Sequence, residues 1–201
     1  MTRQDAYQTL TSFIKNPNLI KHHLACEAIM LSLCKKLNPN PDEILLNKWG
    51  TVGLLHDADY EFTKDDPAQH TLVLEQKIGN QLDQDVMYAI KAHNWEKTKV
   101  EPKSLMDWSM YCCDELSGLI IAAALIHPDK KLSSLTVDFI LKRFNEKGFA
   151  QGANRQQIKM CETKLNIPLN DFVQIALSAM QKFPKSLIFD ILVFLKLNYI
   201  T

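Results

Sequence analysis

The sequence predicts an all-α protein, and three observations lead to this fold class. Only six glycines and eight prolines occur among 201 residues, fewer than the combined usage of about 12% in average proteins. Apolar residues recur at steps of three, four and seven, as they do on one face of an α-helix. Alternation of apolar and polar residues, which is typical of strands, never extends far enough to predict a sheet.

In the first half of the chain, turn residues separate segments that carry an apolar face. Asn-Pro-Asn at 16–18 ends the first segment, and Asn-Pro-Asn-Pro at 38–41 ends the second, because proline interrupts a helix. A polar loop is expected at 58–66, and a Gly-Asn turn separates the last two segments. The predicted helices of this half are 5–14, 19–37, 42–57, 67–78 and 85–92.

In the second half, a long helix is predicted at 104–127, where Pro128 follows it. The eight consecutive apolar residues at 119–126 indicate burial on all sides of this helix. Three or four shorter helices are expected between 133 and 182, separated by glycines and a proline. The chain therefore divides into one helical domain with a helical C-terminal part at 1–182 and an apolar tail at 183–201.

Composition and charge exclude several classes of protein. The content of 46% apolar and 23% charged residues is that of a soluble globular chain, so disorder, collagen-like repeats and coiled coil fit poorly. Lysine plus arginine equals aspartate plus glutamate at 23 each. The broad basic surface that binds a nucleic-acid polymer is therefore not expected.

The ends of the chain and the cysteines bear on its location. The N-terminal sequence MTRQDAYQTL lacks the apolar core of a signal peptide, and the five cysteines show no CxxC spacing, so we expect reduced thiols in the cytoplasm. The apolar tail carries Asp190 and Lys196 and is too short for a membrane span. We expect it to pack on the domain or in a homodimer, with peripheral membrane contact as an alternative.

Polar residues in apolar surroundings indicate where the site lies. Asp57 follows a helix end, where the helix dipole disfavours a carboxylate, and Asp114 precedes a long apolar run. A cation would compensate both charges. Imidazole and carboxylate ligands together suit Zn, Mn, Fe or Ni, and helical bundles build such sites from side chains on facing helices. The candidate metal ligands are His22, His56, Asp57, His70, His93 and Asp114.

These residues lie in segments that resemble the HD superfamily of metal-dependent phosphohydrolases, over roughly residues 4–182. LIKHHLACEA resembles the family's first-histidine helix, GLLHDADYE its His-Asp helix and loop, and YCCDELSGLI the helix of its last aspartate. The closest resemblance is to uncharacterised bacterial HD-domain hydrolases with a helical C-terminal part. The apolar tail departs from the family pattern.

The resemblance implies that His22, His56, Asp57 and Asp114 bind a first divalent metal. The family pattern of a ligand histidine followed by Leu at +2 and Ala at +6 matches His22 rather than its neighbour His23. Further histidines, at His70 and His93, correspond to those of family members that bind two metals, so Asp57 is expected to bridge two ions. A single ion with two hydrogen-bonding histidines remains the alternative.

The implied activity is hydrolysis of a small phosphorylated metabolite or nucleotide by metal-bound hydroxide. Besides Asp57, the candidates for orienting the water or protonating the leaving group are Asp59 and Glu61, for which a solvated acidic loop is the alternative. Cationic candidates for binding the substrate phosphate are Lys130, Lys131 and Arg143. The alternatives to a phosphohydrolase are a di-iron oxygenase of HD type and a non-catalytic, metal-stabilised nucleotide-binding module.

Overall fold

The computed structural model of the protein describes residues 1–182, and within this range every regular element is a helix. The all-α prediction is therefore confirmed. The helices pack around one hydrophobic core. The predicted tail at 183–201, and with it the expectation of a homodimer or of membrane contact, lies outside the described residues.

The chain runs through a series of α-helices that are linked by turns and by 3-10 helices. The α-helices are α1 (Arg3–Phe13), α2 (Pro17–Leu37), α3 (Glu43–Leu55), α4 (Tyr60–Thr63), α5 (Leu72–Ile78), α6 (Gln84–His93), α7 (Trp95–Thr98), α8 (Leu105–Ile126), α9 (Val137–Phe144), α10 (Arg155–Lys164) and α11 (Leu169–Gln181). The 3-10 helices are Pro67–Gln69, Gly79–Gln81 and Leu132–Ser134.

Polar side chains explain where several helices begin. Thr2 and Asp5 form a capping box at the start of α1, and Ser104 and Asp107 form another at the start of α8. In each box the hydroxyl oxygen accepts an N–H of the first turn, and the carboxylate accepts the N–H of the capping residue. Asn16 caps α2 ahead of a proline in its first turn. The caps thus satisfy amides that a helix start leaves without partners.

The long helix α8 runs through the middle of the bundle and packs against α2, α6 and α10. It is long and apolar enough to cross a membrane, but 67% of its most apolar window is buried inside the protein. Leu119 and Ile120 are fully buried, whereas Ile126 at the end of the helix is 46% exposed. The expectation of burial therefore holds for most of the apolar run and fails at its last residue.

Helices α2 and α3 form the most extensive contact in the bundle, and a glycine permits it. A Cβ atom added to Gly53 on α3 would lie 2.6 Å from the backbone nitrogen of Glu27 on α2. The two backbones therefore touch where α3 has no side chain. The side chain of Glu27 also links α1 to α2, because its carboxylate accepts hydrogen bonds of 2.6 and 2.9 Å from the Arg3 guanidinium.

The prediction of one continuous helix at 67–78 is wrong. The chain forms a 3-10 turn at Pro67–Gln69, and α5 begins only at Leu72. Between them Thr71 has a φ of 69°, in the left-handed region that a β-branched residue rarely adopts. The predicted loop at 58–66 also contains the short helix α4. In the C-terminal part, the expectation of three or four helices is met by α9, α10 and α11.

Candidate metal centre

Six polar side chains that are distant in sequence meet between α2, α3, α6 and α8. They are His22 in α2, His56 and Asp57 just after α3, His70 before α5, His93 at the end of α6 and Asp114 in the middle of α8. The structure therefore brings together all six residues that were predicted from the sequence as candidate metal ligands. Their donor atoms form two groups.

The first donor group consists of His22, His56 and Asp114. The Nε2 atoms of the two histidines are 3.1 Å apart. Oδ1 of Asp114 lies 3.2 Å from Nε2 of His22 and 3.5 Å from Nε2 of His56. Three donor atoms from three helical segments thus surround one point.

The second donor group consists of Asp57, His70 and His93. Oδ1 of Asp57 lies 2.9 Å from Nε2 of His70 and 3.0 Å from Nε2 of His93. The other carboxylate oxygen, Oδ2, lies 3.6 Å from Nε2 of His56. Asp57 therefore directs one oxygen to each group, which is the position that a bridging carboxylate occupies.

Each of the four histidines is held through its second ring nitrogen. Nδ1 of His56 donates to the Gly53 carbonyl at 3.0 Å, Nδ1 of His93 donates to a carbonyl in α6, and Nδ1 of His70 lies 2.8 Å from an Asp59 oxygen. A serine, Ser117, donates its own proton to the Asp114 carbonyl and therefore accepts from Nδ1 of His22.

This hydrogen bonding fixes the same tautomer in every neutral ring. With the proton on Nδ1, the lone pair of each Nε2 points into the cluster. Metal-binding histidines are oriented by outer partners in this way. The donor set of four imidazole nitrogens and two carboxylates therefore fits one or two divalent transition-metal ions.

The neighbouring imidazole of His23 takes no part in the cluster. It is fully buried behind His56, with the ring centroids 5.0 Å apart. Burial lowers the pKa of His23 well below its usual range, and the positive charge on its neighbours acts in the same direction. The structure thus places His22, the histidine favoured by the family pattern, at the candidate centre.

The charged groups of the cluster shift one another's pKa values. Burial acts against the charge of Asp57, but the charge of His56 and hydrogen bonds from two other imidazoles hold the pKa of the carboxyl well below its usual range. Burial also opposes protonation of His56, but Asp57, Cys26 and Asp114 together outweigh it and raise the pKa to about 9. For His70, burial is outweighed by Asp57 and Asp59, and the pKa rises to about 10. Protons thus balance the carboxylates that a metal cation would balance when bound.

Of the two acidic residues after the His-Asp pair, Asp59 lies behind the cluster and Glu61 lies at the cavity. Asp59 is fully buried behind His70, where its carboxylate accepts from the imidazole and, at 3.0 Å, from the Leu74 amide. It holds His70 rather than facing the cavity. Glu61 borders the cavity, but its carboxylate accepts the amides of Lys15 and Asn16 at 3.0 and 2.8 Å. Neither residue belongs to a solvated acidic loop.

A cavity of about 560 Å³ opens beside the cluster and is lined by His22, Asp57 and Asp114. The residues predicted to bind a substrate phosphate, Lys130, Lys131 and Arg143, do not line it. Arg143 instead pairs with Glu146 at 2.5 Å and lies over the Phe139 ring, while the two lysines follow α8 in an exposed segment. The structure therefore does not place these three cations at the cavity, because the segment after α8 and the pairing of Arg143 with Glu146 keep them outside its lining.

The lysines that line the cavity are Lys21 and Lys64, which the sequence reasoning missed. Lys21 precedes the first ligand histidine by one residue, and this adjacency was the available signal. Lys64 follows α4, whose position depends on the turns after the His-Asp pair.

Two further side chains at the site were also missed. Cys26 lies one helical turn after His22, and its Sγ joins the first donor group within 4.8 Å of the other donors. The spacing of four residues on one helix was the available signal. Glu115 lines the cavity beside Asp114 and accepts the Asn154 amide at 2.8 Å. Burial and the charge of Asp114 raise the pKa of Glu115 to about 7.

The far wall of the cavity is a loop between α9 and α10 that one arginine holds. The Arg155 guanidinium donates to the carbonyls of Phe144, Phe149, Ala150 and Ala153. The last two of these residues line the cavity. One side chain therefore binds four backbone carbonyls in and beside this wall.

Comparison with models of known protein families, with curated proteins and with solved structures found no match.

Proposed function

We propose that the protein is a metal-dependent phosphohydrolase of HD type, with one or two divalent transition-metal ions per chain. The observation that carries the proposal is the arrangement around Asp57, whose two oxygens face two donor groups. His22, His56 and Asp114 would hold one ion with Oδ2 of Asp57. The second ion would bind Oδ1 of the same carboxylate with the two remaining imidazoles of the cluster.

Bound ions of this kind lower the pKa of a water ligand and stabilise negative charge on a phosphoryl oxygen. The chain's own residues prepare the site for that chemistry. The outer partners of the imidazoles keep every Nε2 turned inward, and Asp59 fixes His70 from behind. Lys21 and Lys64 supply positive charge along the cavity that opens onto the cluster.

The size of the cavity supports a small substrate. At about 560 Å³ it falls within the range of small-molecule sites. A phosphorylated metabolite or a nucleotide is of this size, whereas a nucleic-acid polymer would need an extended basic surface. The five cysteines are buried and free, which supports a reducing, cytoplasmic environment.

The proposal is tested first by metal analysis of protein that has been purified without chelator, beside an Asp57→Ala variant. We expect close to two transition-metal ions per chain, and their loss in the variant. The same metal is then supplied in an assay with a panel of phosphomonoesters and nucleotides, in which phosphate release by the native protein and none by the variant is expected.

Other outcomes would replace the proposal. Two iron ions with oxygen uptake and no phosphate release would favour the di-iron oxygenase. Binding of nucleotides without turnover, across several metals, would favour the non-catalytic module. No bound metal, even after reconstitution with Mn, Fe, Ni or Zn, would contradict both the phosphohydrolase and the oxygenase.

A further inference from the structure

Cys26 turns its thiol toward the first donor group from the same helix face as His22. Its Sγ is 3.9 Å from both ring nitrogens of His22 and 3.6 Å from the Ser117 hydroxyl. One donor atom from each of His22, Cys26, His56 and Asp114 lies within 4.8 Å of the other three. The thiol is fully buried, so solvent does not compete for it.

The separations among the imidazole and carboxylate donors of this set are those of ligands around one metal ion. Tetrahedral zinc has nitrogen or oxygen ligands at about 2.1 Å and sulfur at about 2.3 Å, which places neighbouring ligand atoms about 3.3–3.6 Å apart. The imidazole and carboxylate donors of the first group are separated by 3.1, 3.2 and 3.5 Å. The distance from Sγ of Cys26 to Nε2 of His22, at 3.9 Å, is only slightly longer.

Among the cysteines of residues 1–182, Cys26 alone belongs to such a group of donors. Cys34 lies two turns further along α2, is also buried, and its thiol accepts from an asparagine side chain. The two cysteines therefore share a helix and are both buried but differ in access to the cluster. This difference supplies a matched control.

We propose that Cys26 is a metal ligand, so that the first ion would be held by two histidines, the Cys26 thiolate and the Asp114 carboxylate, together with Oδ2 of Asp57. The inference rests on the metal centre of the proposed function and adds the class of metal. Thiolate is a soft ligand that favours zinc and its softer relatives over manganese and magnesium. The second group has no sulfur donor, so the two positions would differ in metal preference.

The experiment is cobalt substitution of the full-length protein, because a thiolate bound to Co²⁺ produces an intense charge-transfer absorption in the near ultraviolet. Native protein, Cys26→Ser and Cys34→Ser are stripped with chelator and titrated with Co²⁺. Circular dichroism verifies that each variant keeps its helices. We expect the charge-transfer band in native protein and in Cys34→Ser, and its loss in Cys26→Ser while the visible cobalt bands remain.

A competition measurement gives a second readout. Cys26→Ser should weaken Cd²⁺ binding by more than about 100-fold, since loss of an outer partner alone costs about 10–100-fold. Binding of Mn²⁺, a harder ion, should change by less than about tenfold. If Cys26→Ser does not fold, Cys26→Ala is measured in its place.

The outcomes separate this inference from the proposed function. Cobalt bound by native protein without a thiolate band, or a band that persists in Cys26→Ser, would overturn the assignment of Cys26 and leave the metal centre standing. Failure of native protein to bind cobalt, cadmium or manganese would overturn the metal centre itself, and the assignment of Cys26 with it.

Discussion

The contact between α2 and α3 predicts that Gly53→Ala both destabilises the protein and disturbs the candidate metal centre. The new Cβ would lie 2.6 Å from the backbone nitrogen of Glu27 and 2.7 Å from its Cα. Because these are backbone atoms, no side-chain rotation can relieve the overlap, and the helices must separate. Overpacking of this kind costs about 1–3 kcal/mol, and we expect the upper end of that range.

Alanine also has a better helix propensity than glycine, which recovers about 0.5–1 kcal/mol. The expected net loss in the free energy of unfolding is therefore about 2 kcal/mol. The Gly53 carbonyl accepts from Nδ1 of His56. Movement of α3 should thus displace a ligand, and metal affinity should fall by about 10–100-fold, as for loss of an outer partner.

The matched control is Gly50→Ala, one turn earlier in α3. There the nearest atom to an added Cβ is Cδ2 of Leu31, at 3.4 Å, which belongs to a flexible side chain. This variant should be as stable as native protein or gain up to about 1 kcal/mol. Chemical denaturation of the metal-free proteins measures the free energy of unfolding, and calorimetry measures metal binding. Equal stability of the Gly53→Ala and Gly50→Ala variants would refute the close-approach argument.

Three further predictions concern the site. With the two-ion centre of the proposed function, Asp59→Asn should weaken the second ion by about 10–100-fold, because the charge behind His70 is lost. Elemental analysis at limiting metal should then find fewer ions in the variant than in native protein, and equal metal content would contradict the positioning role. The pKa values of His56 and His70 are raised to about 9 and about 10, so a metal ion must displace protons from these rings at neutral pH. Metal affinity should therefore rise as pH increases from 6 toward 9, and calorimetry in buffers of different ionisation enthalpy should detect the released protons. A metal affinity that does not change with pH would contradict this prediction. Lys64 lines the cavity and Arg143 does not, so Lys64→Ala should raise KM for a phosphorylated substrate several-fold and Arg143→Ala should leave KM unchanged. A raised KM in Arg143→Ala alone would favour the sequence-based prediction that Arg143 binds the substrate phosphate.

Much of the fold was predictable because its signals are local. Capping residues and prolines mark the start of α2 and α8, and the apolar spacing gives the helices between them. The predicted helix at 67–78 failed because its apolar pattern continues through Thr71, where the backbone takes a left-handed conformation. That turn gives His70 a place beside Asp57, and no periodicity in the sequence encodes it.

For the site, residue type was informative and sequence proximity was not. Buried carboxylates and imidazoles indicated the cluster because their charge needs compensation in an apolar setting. The roles of Asp59 and Arg143 depend on which way a loop or helix faces after the chain has packed. Asp59 turned inward to hold an imidazole, and Arg143 turned to a glutamate outside the cavity.

The far wall of the cavity and the donor atoms of the cluster come from different parts of the chain. The donor atoms lie on or next to α2, α3, α5, α6 and α8, whereas the wall opposite them is held by the hydrogen bonds from Arg155 to backbone carbonyls and by the Asn154 amide on Glu115. Because backbone carbonyls carry no side-chain identity, most side chains of residues 145–153 can change while the hydrogen bonds from Arg155 remain. Under the proposed function, changes of side chain in this segment would alter the wall that faces a substrate and leave the donor atoms of the candidate metal centre in place.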